Sequence, residues 1–370
     1  MSKGKRLIST VTSESTVRLS IEEFEVPNPG PDEVLVAVEA SPINPSDLGV
    51  LLAGAEASTV SKSENGLVLS LPDGAVDALA GRVDRAMPVG NEGAGIVVGA
   101  GNEEEAQALH GQVVAALAGG MYATHRIVKA RDCLVLEEGT EAVDAASCVV
   151  SPLTALGMTE TMGLEGHSAL IHTAAASNLG QMLNRICIDD GVALINIVRR
   201  EEHVELLESQ GATHVINSSS PDFRSDLVDA ITTTGATVGF DAVGGGDLTT
   251  ELLHAMEVAA SSSGGEYSRY GSTTHKQLYI YGGLDRGPTV LRRNYGMAWG
   301  VAGWLLPNFL AKIGPERSEK LRRRVAAELT TTFASSYSHT LSLESVLDID
   351  SMNEYSQMST QGKSLVCPQL

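Results

Sequence analysis

Cysteine is scarce and scattered in this chain. Cys133, Cys148, Cys187 and Cys367 form no C-x-x-C pair, which points away from a disulfide framework or a structural zinc site and towards reduced thiols. Cationic residues are also few, 26 Lys and Arg against 46 Asp and Glu, a formal charge of −20. Nonspecific affinity for nucleic acid or an anionic membrane needs a basic surface, so neither partner is expected. The one basic run, Arg322-Arg323-Arg324, stands near Glu316, Glu319 and Glu328 and reads as a solvated helix face. The basic start, Met1 to Arg6, leads into polar alternation and not into an apolar secretory core. No stretch reaches about eighteen consecutive strongly apolar residues. A soluble cytoplasmic protein is the expectation.

A chain of 370 residues exceeds one ordinary core and predicts two domains. A hydrophobic fraction of 43% and 38 glycines suit an α/β protein. The first 150 residues read as strands and turns. Glu33 to Ala40 alternates with period two after the turn Pro27 to Pro31, and Gly93 to Val98 and Gln112 to Leu117 look like further strands. Residues 55–87 read as an insertion of undisclosed role, with Leu67 to Leu71 a short hairpin strand. Helix and strand alternate from Asp144, beginning with a helical stretch to Met162 interrupted by Pro152. Helices follow at Arg200 to Gln210, Asp222 to Thr233 and Leu248 to Ala259, and strands at His214 to Asn217, Ala236 to Val243, Gly265 to Tyr270 and Gln277 to Tyr281. Such β-α alternation with glycines at strand ends predicts a doubly wound parallel sheet. The apolar stretch Ala298 to Leu310 reads as core more than interface, and Pro315 to Leu329 as an amphipathic helix. The final Lys363 to Cys367 reads as a strand that a first-domain sheet could accept, making that domain discontinuous.

The most informative segment is 169–200. Strand Ala169 to Ile171 runs into Ala175-x-Ser177-x-x-Gly180, a weakened G-x-G-x-x-G turn whose small residues let backbone N–H groups approach a pyrophosphate at a helix N-terminus. The next strand, Val192 to Val198, ends in Arg199 and Arg200, where an NAD site would carry an acidic residue for the ribose 2′-hydroxyl. Guanidinium groups there invite a 2′-phosphate, and NADPH is the cofactor expected. Spacing alone leaves open an ordinary βαβ unit with a solvated arginine pair.

Several short motifs occur in a telling order: Pro29 to Val36, Ile43-Asn44-Pro45-Ser46-Asp47-Leu48, Gly90-Asn91-Glu92-Gly93-Ala94-Gly95, Gly119 to His125, Pro152 to Leu156, Phe240 to Gly245 and Gly362-Lys363. In this order they resemble the medium-chain dehydrogenase/reductase superfamily, in its zinc-independent quinone oxidoreductase and enoyl reductase branch. The resemblance implies a GroES-like, mainly β catalytic domain (1–149, completed by about 331–370), a doubly wound Rossmann NADPH-binding domain (150–330), a cofactor cleft between them and a homodimer formed through the edge of the Rossmann sheet. It places Asn44 and Asp47 on the nicotinamide side, Thr154 at the nicotinamide or its ribose, and Ala175, Ser177, Asn178, Leu179 and Gly180 around the pyrophosphate. Arg199 and Arg200 would hold the 2′-phosphate. Asp241, Ala242 and Val243 would border the adenosine-side ribose, and Tyr281, Gly282 and Gly283 the carboxamide; Asn217 and Lys363 complete the implied cofactor residues.

Zinc-dependent relatives carry a Cys near the N-P-x-D loop and a His in the glycine turn; Ser46 and Asn91 stand there instead, and no metal is expected. Hydride transfer to an electron-poor acceptor, a quinone or an α,β-unsaturated carbonyl, is then the natural chemistry. Some enoyl thioester reductases use a Tyr after the N-P-x-D loop, and Leu51 to Ala57 contains none. Tyr122, Tyr281 and Tyr295 are substitutes for it, each with an alternative packing role, so no catalytic residue is assigned. Three functions remain: an NADPH-dependent reductase of quinones or other small electrophiles, an enoyl thioester or enone reductase, and a non-catalytic NADPH-binding protein.

Overall fold

The computed structural model describes residues 2–262, 268–357 and 363–370. Gly362 and part of the expected strand Gly265 to Tyr270 lie outside them. The chain divides into two compact units, Met1–Val150 with Arg322–Leu370, and Ser151–Leu321.

In the first unit, period-two burial builds the sheets. Strand β3 (Glu33–Pro42) follows the hairpin of β1 (Lys3–Val11) and β2 (Thr16–Glu25). It turns Val34, Val36, Val38 and Ala40 inward while the alternate positions stay partly exposed. Then come β4 (Ser61–Ser63), β5 (Gly66–Ser70), β6 (Ala86–Pro88), β7 (Glu92–Ala100), β8 (Val113–Leu117), β9 (His125–Lys129) and β10 (Cys133–Val135). One sheet has the order β4-β5-β2-β1-β6. The 55–87 segment thus has a structural role: it supplies strands on both sides of the β1–β2 hairpin and buries Leu67, Leu69 and Leu71 beneath it.

The second unit continues the numbering with β11 (Ala169–Thr173), β12 (Ala193–Val198), β13 (His214–Asn217), β14 (Val238–Asp241), β15 (Lys276–Ile280) and β16 (Trp299–Gly303). Back in the first unit are β17 (Tyr337–Leu341) and β18 (Lys363–Val366). The second sheet of the first unit runs β10-β8-β7-β3-β18-β17, with β9 also on β3. The chain's last strand is therefore interior to a sheet that its first forty residues begin, antiparallel to β3 at Leu365↔Pro42.

The sheet of the second unit has the order β13-β12-β11-β14-β15-β16, every pair parallel. Order reverses between β11 and β14, the topological switch point at which open α/β sheets bind ligands beyond their strand C-termini. The two sides carry the helices Asn178–Asp190, Glu201–Ser209, Phe223–Thr234 and Leu248–Ser262. Gly211 follows the second of these with φ +88, the left-handed backbone expected just past a helix end.

One expectation is corrected and two are refined. The 144–162 stretch is not one helix broken at Pro152: a short helix, Ala142–Ala145, precedes Val150–Leu164, and Pro152 sits in the latter's first turn, where its missing N–H has no intrahelical acceptor to lose. Residues 142–164 do contain an 18-residue window with the hydropathy of a membrane span, but 78% of that window is buried within the protein. The apolar 298–310 stretch is edge strand β16 followed by the start of helix Leu306–Ala327, which is itself interrupted at Gly314 (φ 79, ψ 172) ahead of Pro315. Trp304 and Phe309 are core residues; Trp304 Nε1 donates to Thr161 Oγ1 at 3.1 Å, and its ring lies 2.8 Å from where a Cβ on Gly157 would sit.

Candidate active site

In the second unit, β11 ends at Thr173 and the chain turns through Ala174, Ala175 and Ala176 into helix Asn178–Asp190. Ala174, and not Ala175, takes the left-handed conformation (φ +53) that the glycine of such a turn usually adopts. Ser177 caps the helix, its Oγ accepting from Gly180 N at 3.2 Å. A Cβ on Gly180 would lie 2.2 Å from the Ala175 carbonyl oxygen, so this position must be glycine for helix and turn to touch. Asn178 and Leu179 open the helix, in the first turn where N–H groups lack intrahelical acceptors and favour an anion.

The neighbouring strand ends complete this rim. Arg199 and Arg200 follow β12 and are exposed. Arg200 is engaged, with Nη1 3.0 Å from Glu202 Oε1 and Nη2 2.8 Å from His203 Nε2, whereas Arg199 has no side-chain partner among the described residues. At the end of β13, Asn217 donates to Glu201 Oε2 at 3.2 Å and accepts from Ser219 N at 3.0 Å. Asp241 is fully buried and organises the end of β14: Oδ1 accepts from Thr173 Oγ1 at 2.7 Å and Val243 N at 2.8 Å, and Oδ2 from Gly244 N at 3.2 Å and Thr249 Oγ1 at 3.3 Å. Ala242 N in turn donates to Thr173 Oγ1 at 2.8 Å. Tyr281-Gly282-Gly283 follows β15, and a Cβ on Gly282 would meet the Ala242 carbonyl at 2.6 Å. Thr154 is buried on helix Val150–Leu164.

The first unit gathers a buried polar cluster. Asn44 caps the helix Pro45–Leu51, and the Asp47 carboxylate accepts from Asn44 N at 2.8 Å and Asn91 N at 2.7 Å. Asn44 Nδ2 donates to Glu92 Oε1 at 2.8 Å, while Lys363 Nζ on β18 donates to Asn44 Oδ1 at 2.7 Å. Glu92 Oε2 accepts from Val149 N and Val150 N at 2.9 and 2.8 Å. Tyr337 Oη donates to Ser147 Oγ at 3.0 Å. Burial pushes the Asp47 carboxyl up to about 7 against the pull of these backbone donors, raises Glu92 likewise, and lowers Lys363, whose charge the two acids support. Asn91 Nδ2 donates to Ser46 Oγ at 3.0 Å, pairing the two residues at the places of zinc ligands.

Glu92, Ser147 and Tyr337 were not singled out by sequence reasoning; only Glu92 had a signal, standing within the quoted glycine turn. Two tyrosines considered as proton donors are packed instead. Tyr122 is fully buried and donates to the Pro42 carbonyl at 3.0 Å. Tyr295 is buried edge-on to Trp299, with ring centroids 5.1 Å apart.

No family model matches the chain. It is 26% identical over 282 residues to a mitochondrial enoyl-[acyl-carrier-protein] reductase of Xenopus tropicalis, covering 74% of this chain and 68% of the relative. Its identity to an NADPH quinone oxidoreductase of Kluyveromyces marxianus is 26% over 310 residues, 76% and 74% of the two chains. Among solved structures it is similar to a Mesorhizobium loti protein provisionally described as an NADPH:quinone reductase, with a TM-score of 0.74 at 24% identity over 100% of this chain and 99% of the other. The chain thus shares its mixed α/β fold with solved structures described as quinone reductases and enoyl reductases, and its sequence is similar to enzymes of both kinds.

Proposed function

We propose that the protein is an NADPH-dependent oxidoreductase that passes hydride to a quinone or another electron-poor small carbonyl compound. The observation that carries this reading is the switch-point turn: Gly180 admits no side chain, Ser177, Asn178 and Leu179 stand partly exposed at the helix N-terminus, and the Arg199 guanidinium, without a side-chain partner among the described residues, follows the adjacent strand. These residues fit a pyrophosphate and a 2′-phosphate. NADPH bound there supplies the hydride; the chain orients it and keeps water away. Ala175 and Ser177 to Gly180 line the phosphate approach, Arg199 assisted by Arg200 holds the 2′-phosphate, and Asp241 keeps the strand-end loop in shape.

In the first unit, Lys363 and Glu92 fix the side-chain amide of Asn44 from two sides, presenting a preset polar surface at the N-P-x-D loop. The Ser46–Asn91 hydrogen bond supports a reaction without zinc. The stretch after that loop, where a proton-donating Tyr would stand in an enoyl thioester reductase, contributes Leu51, Leu52, Ala53 and Ala55 to the core. This favours quinones and related electrophiles over enoyl thioesters. The edge at β16, which has no strand partner among the described residues, is the seat we assign to a homodimer.

The test is anaerobic NADPH oxidation, followed by loss of reduced-nicotinamide absorbance, against 1,4-quinones, enones and an enoyl-CoA. Turnover with quinones but not enoyl-CoA is expected. Turnover with enoyl-CoA alone selects the second reading, and saturable NADPH binding without turnover across acceptors argues for a binding protein.

A further inference from the structure

We propose that the first unit carries a ligand site of its own, a cleft beside β9 that takes an apolar monocarboxylate on the guanidinium of Arg126. The cleft measures about 390 Å³, within the range of small-molecule sites. It lies where the two sheets of this unit meet at the Arg6–Ala123 bridge, between β1, the end of β2, β6 and β9. It shares no residue with the Asn44 cluster or with the phosphate turn.

The two arginines in it are unequally satisfied. Arg6 is already engaged: Nε and Nη2 donate to Glu22 Oε2 at 3.1 and 3.0 Å, and its guanidinium carbon lies 5.1 Å from the centre of the Phe24 ring. Arg126 is half-buried and has no ion pair among the described residues, in a chain with 46 acidic residues. Its one side-chain hydrogen bond there runs from Nη2 to the Ala118 carbonyl at 3.2 Å, and Nε is buried without a partner. A guanidinium carries five N–H donors and keeps its charge at neutral pH, so most of this donor capacity and the whole charge go unanswered by protein. Burial, and after it the nearby Arg6 charge, pull the Arg126 pKa down, and an anion bound there relieves both.

The surroundings select the anion. Arg6 and Glu22 cancel, an exposed Glu25 carboxylate also lines the cleft, and burial lowers the His125 pKa so that this ring stays neutral. One cation is left over, enough for a monocarboxylate and too little for a phosphate dianion. The planar guanidinium fork also matches a carboxylate. Phe24, Pro27, Pro88 and Ile127 give an apolar body its contact surface. Gly120 keeps the approach open: a Cβ there would sit 3.0 Å from Pro88 Cβ and 3.7 Å from Arg126 Cζ, in the gap between them.

The experiment titrates three probes into nitrogen-15-labelled protein: benzoate, benzyl alcohol as its uncharged analogue, and inorganic phosphate. Benzoate should bind saturably, with amide shifts centred on Arg6, Phe24, Gly120 and Arg126, and about tenfold or more tighter than benzyl alcohol. Arg126→Gln should weaken benzoate by about the same factor and leave benzyl alcohol within about twofold. The proposal is overturned by absence of saturable benzoate binding, by shifts centred elsewhere, by phosphate binding as tightly as benzoate, or by equal benzoate affinity in the variant. Should the variant not fold, benzoate against benzyl alcohol on the wild-type protein decides alone, and equal affinity overturns the charge contact.

Discussion

Single residues at the switch point carry the sharpest consequences. Ala174 holds a left-handed backbone that costs an alanine of order 1 kcal/mol more than a glycine, so Ala174→Gly should stabilise the protein by up to about 1 kcal/mol in urea unfolding. Charge-assisted contacts contribute about 1.5 to 3 kcal/mol each, so Arg199→Ala should reduce the preference for NADPH over NADH by about tenfold or more. Arg200 must leave Glu202 and His203 to reach a phosphate, and its loss alone should cost less; the double variant should lose about two decades. Ratios of NADPH and NADH dissociation constants check both, and an unchanged ratio in the double variant would leave only a solvated pair. Asp47 gives a pH signature. Its folded pKa, about 7, lies above the unfolded 3.8, so the native state holds the proton longer and this group's contribution to stability is lost as pH rises between those values. Asp47→Asn should flatten that decline, seen as urea midpoints at pH 5 and pH 8 that differ less than in wild type.

At the scale of elements, legibility followed the range of the forces. The β11 turn and helix were readable because a strand-end turn, a Ser cap and Gly180 are set by contacts a few residues apart. Strand β18 was readable as a strand by its alternation, but not its place between β3 and β17. The 55–87 segment was opaque because its hairpin is stabilised by pairing with β2, a partner no local pattern names. The same holds for Glu92, whose carboxylate has three partners, the Asn44 side-chain amide and the Val149 and Val150 N–H groups, all far from it in sequence. The ion pair of Lys276 on β15 with Glu257 on helix Leu248–Ser262 was equally invisible. Lys276 is fully buried, with Nζ 2.5 Å from Glu257 Oε2, and burial's upward push on that acid is overcome by Lys276 and Ser272, bringing it down to about 2. Removing one partner strands a charge, so Lys276→Met should cost about 3 to 5 kcal/mol, while Lys276→Met with Glu257→Leu should recover much of it. Chemical denaturation of the three variants measures the difference.

For the whole molecule, the parallel sheet ends at β16, whose outer edge has no strand partner among the described residues. Unpaired edges of this kind are templates for association. The homodimer proposed at that edge predicts sedimentation at about twice the mass of 38.8 kDa, and a proline at Val301, inside β16, should return it to monomer without altering NADPH affinity. Finally, Lys363 reaches Asn44 only when the chain's end has threaded between β17 and β3. During synthesis the second unit, an uninterrupted stretch, can complete its fold while the first still waits for its closing strand. A ribosome that stalls before Lys363 therefore leaves a chain whose parallel sheet can already be built while Asn44 still lacks the lysine that fixes it, so the two units mature in sequence.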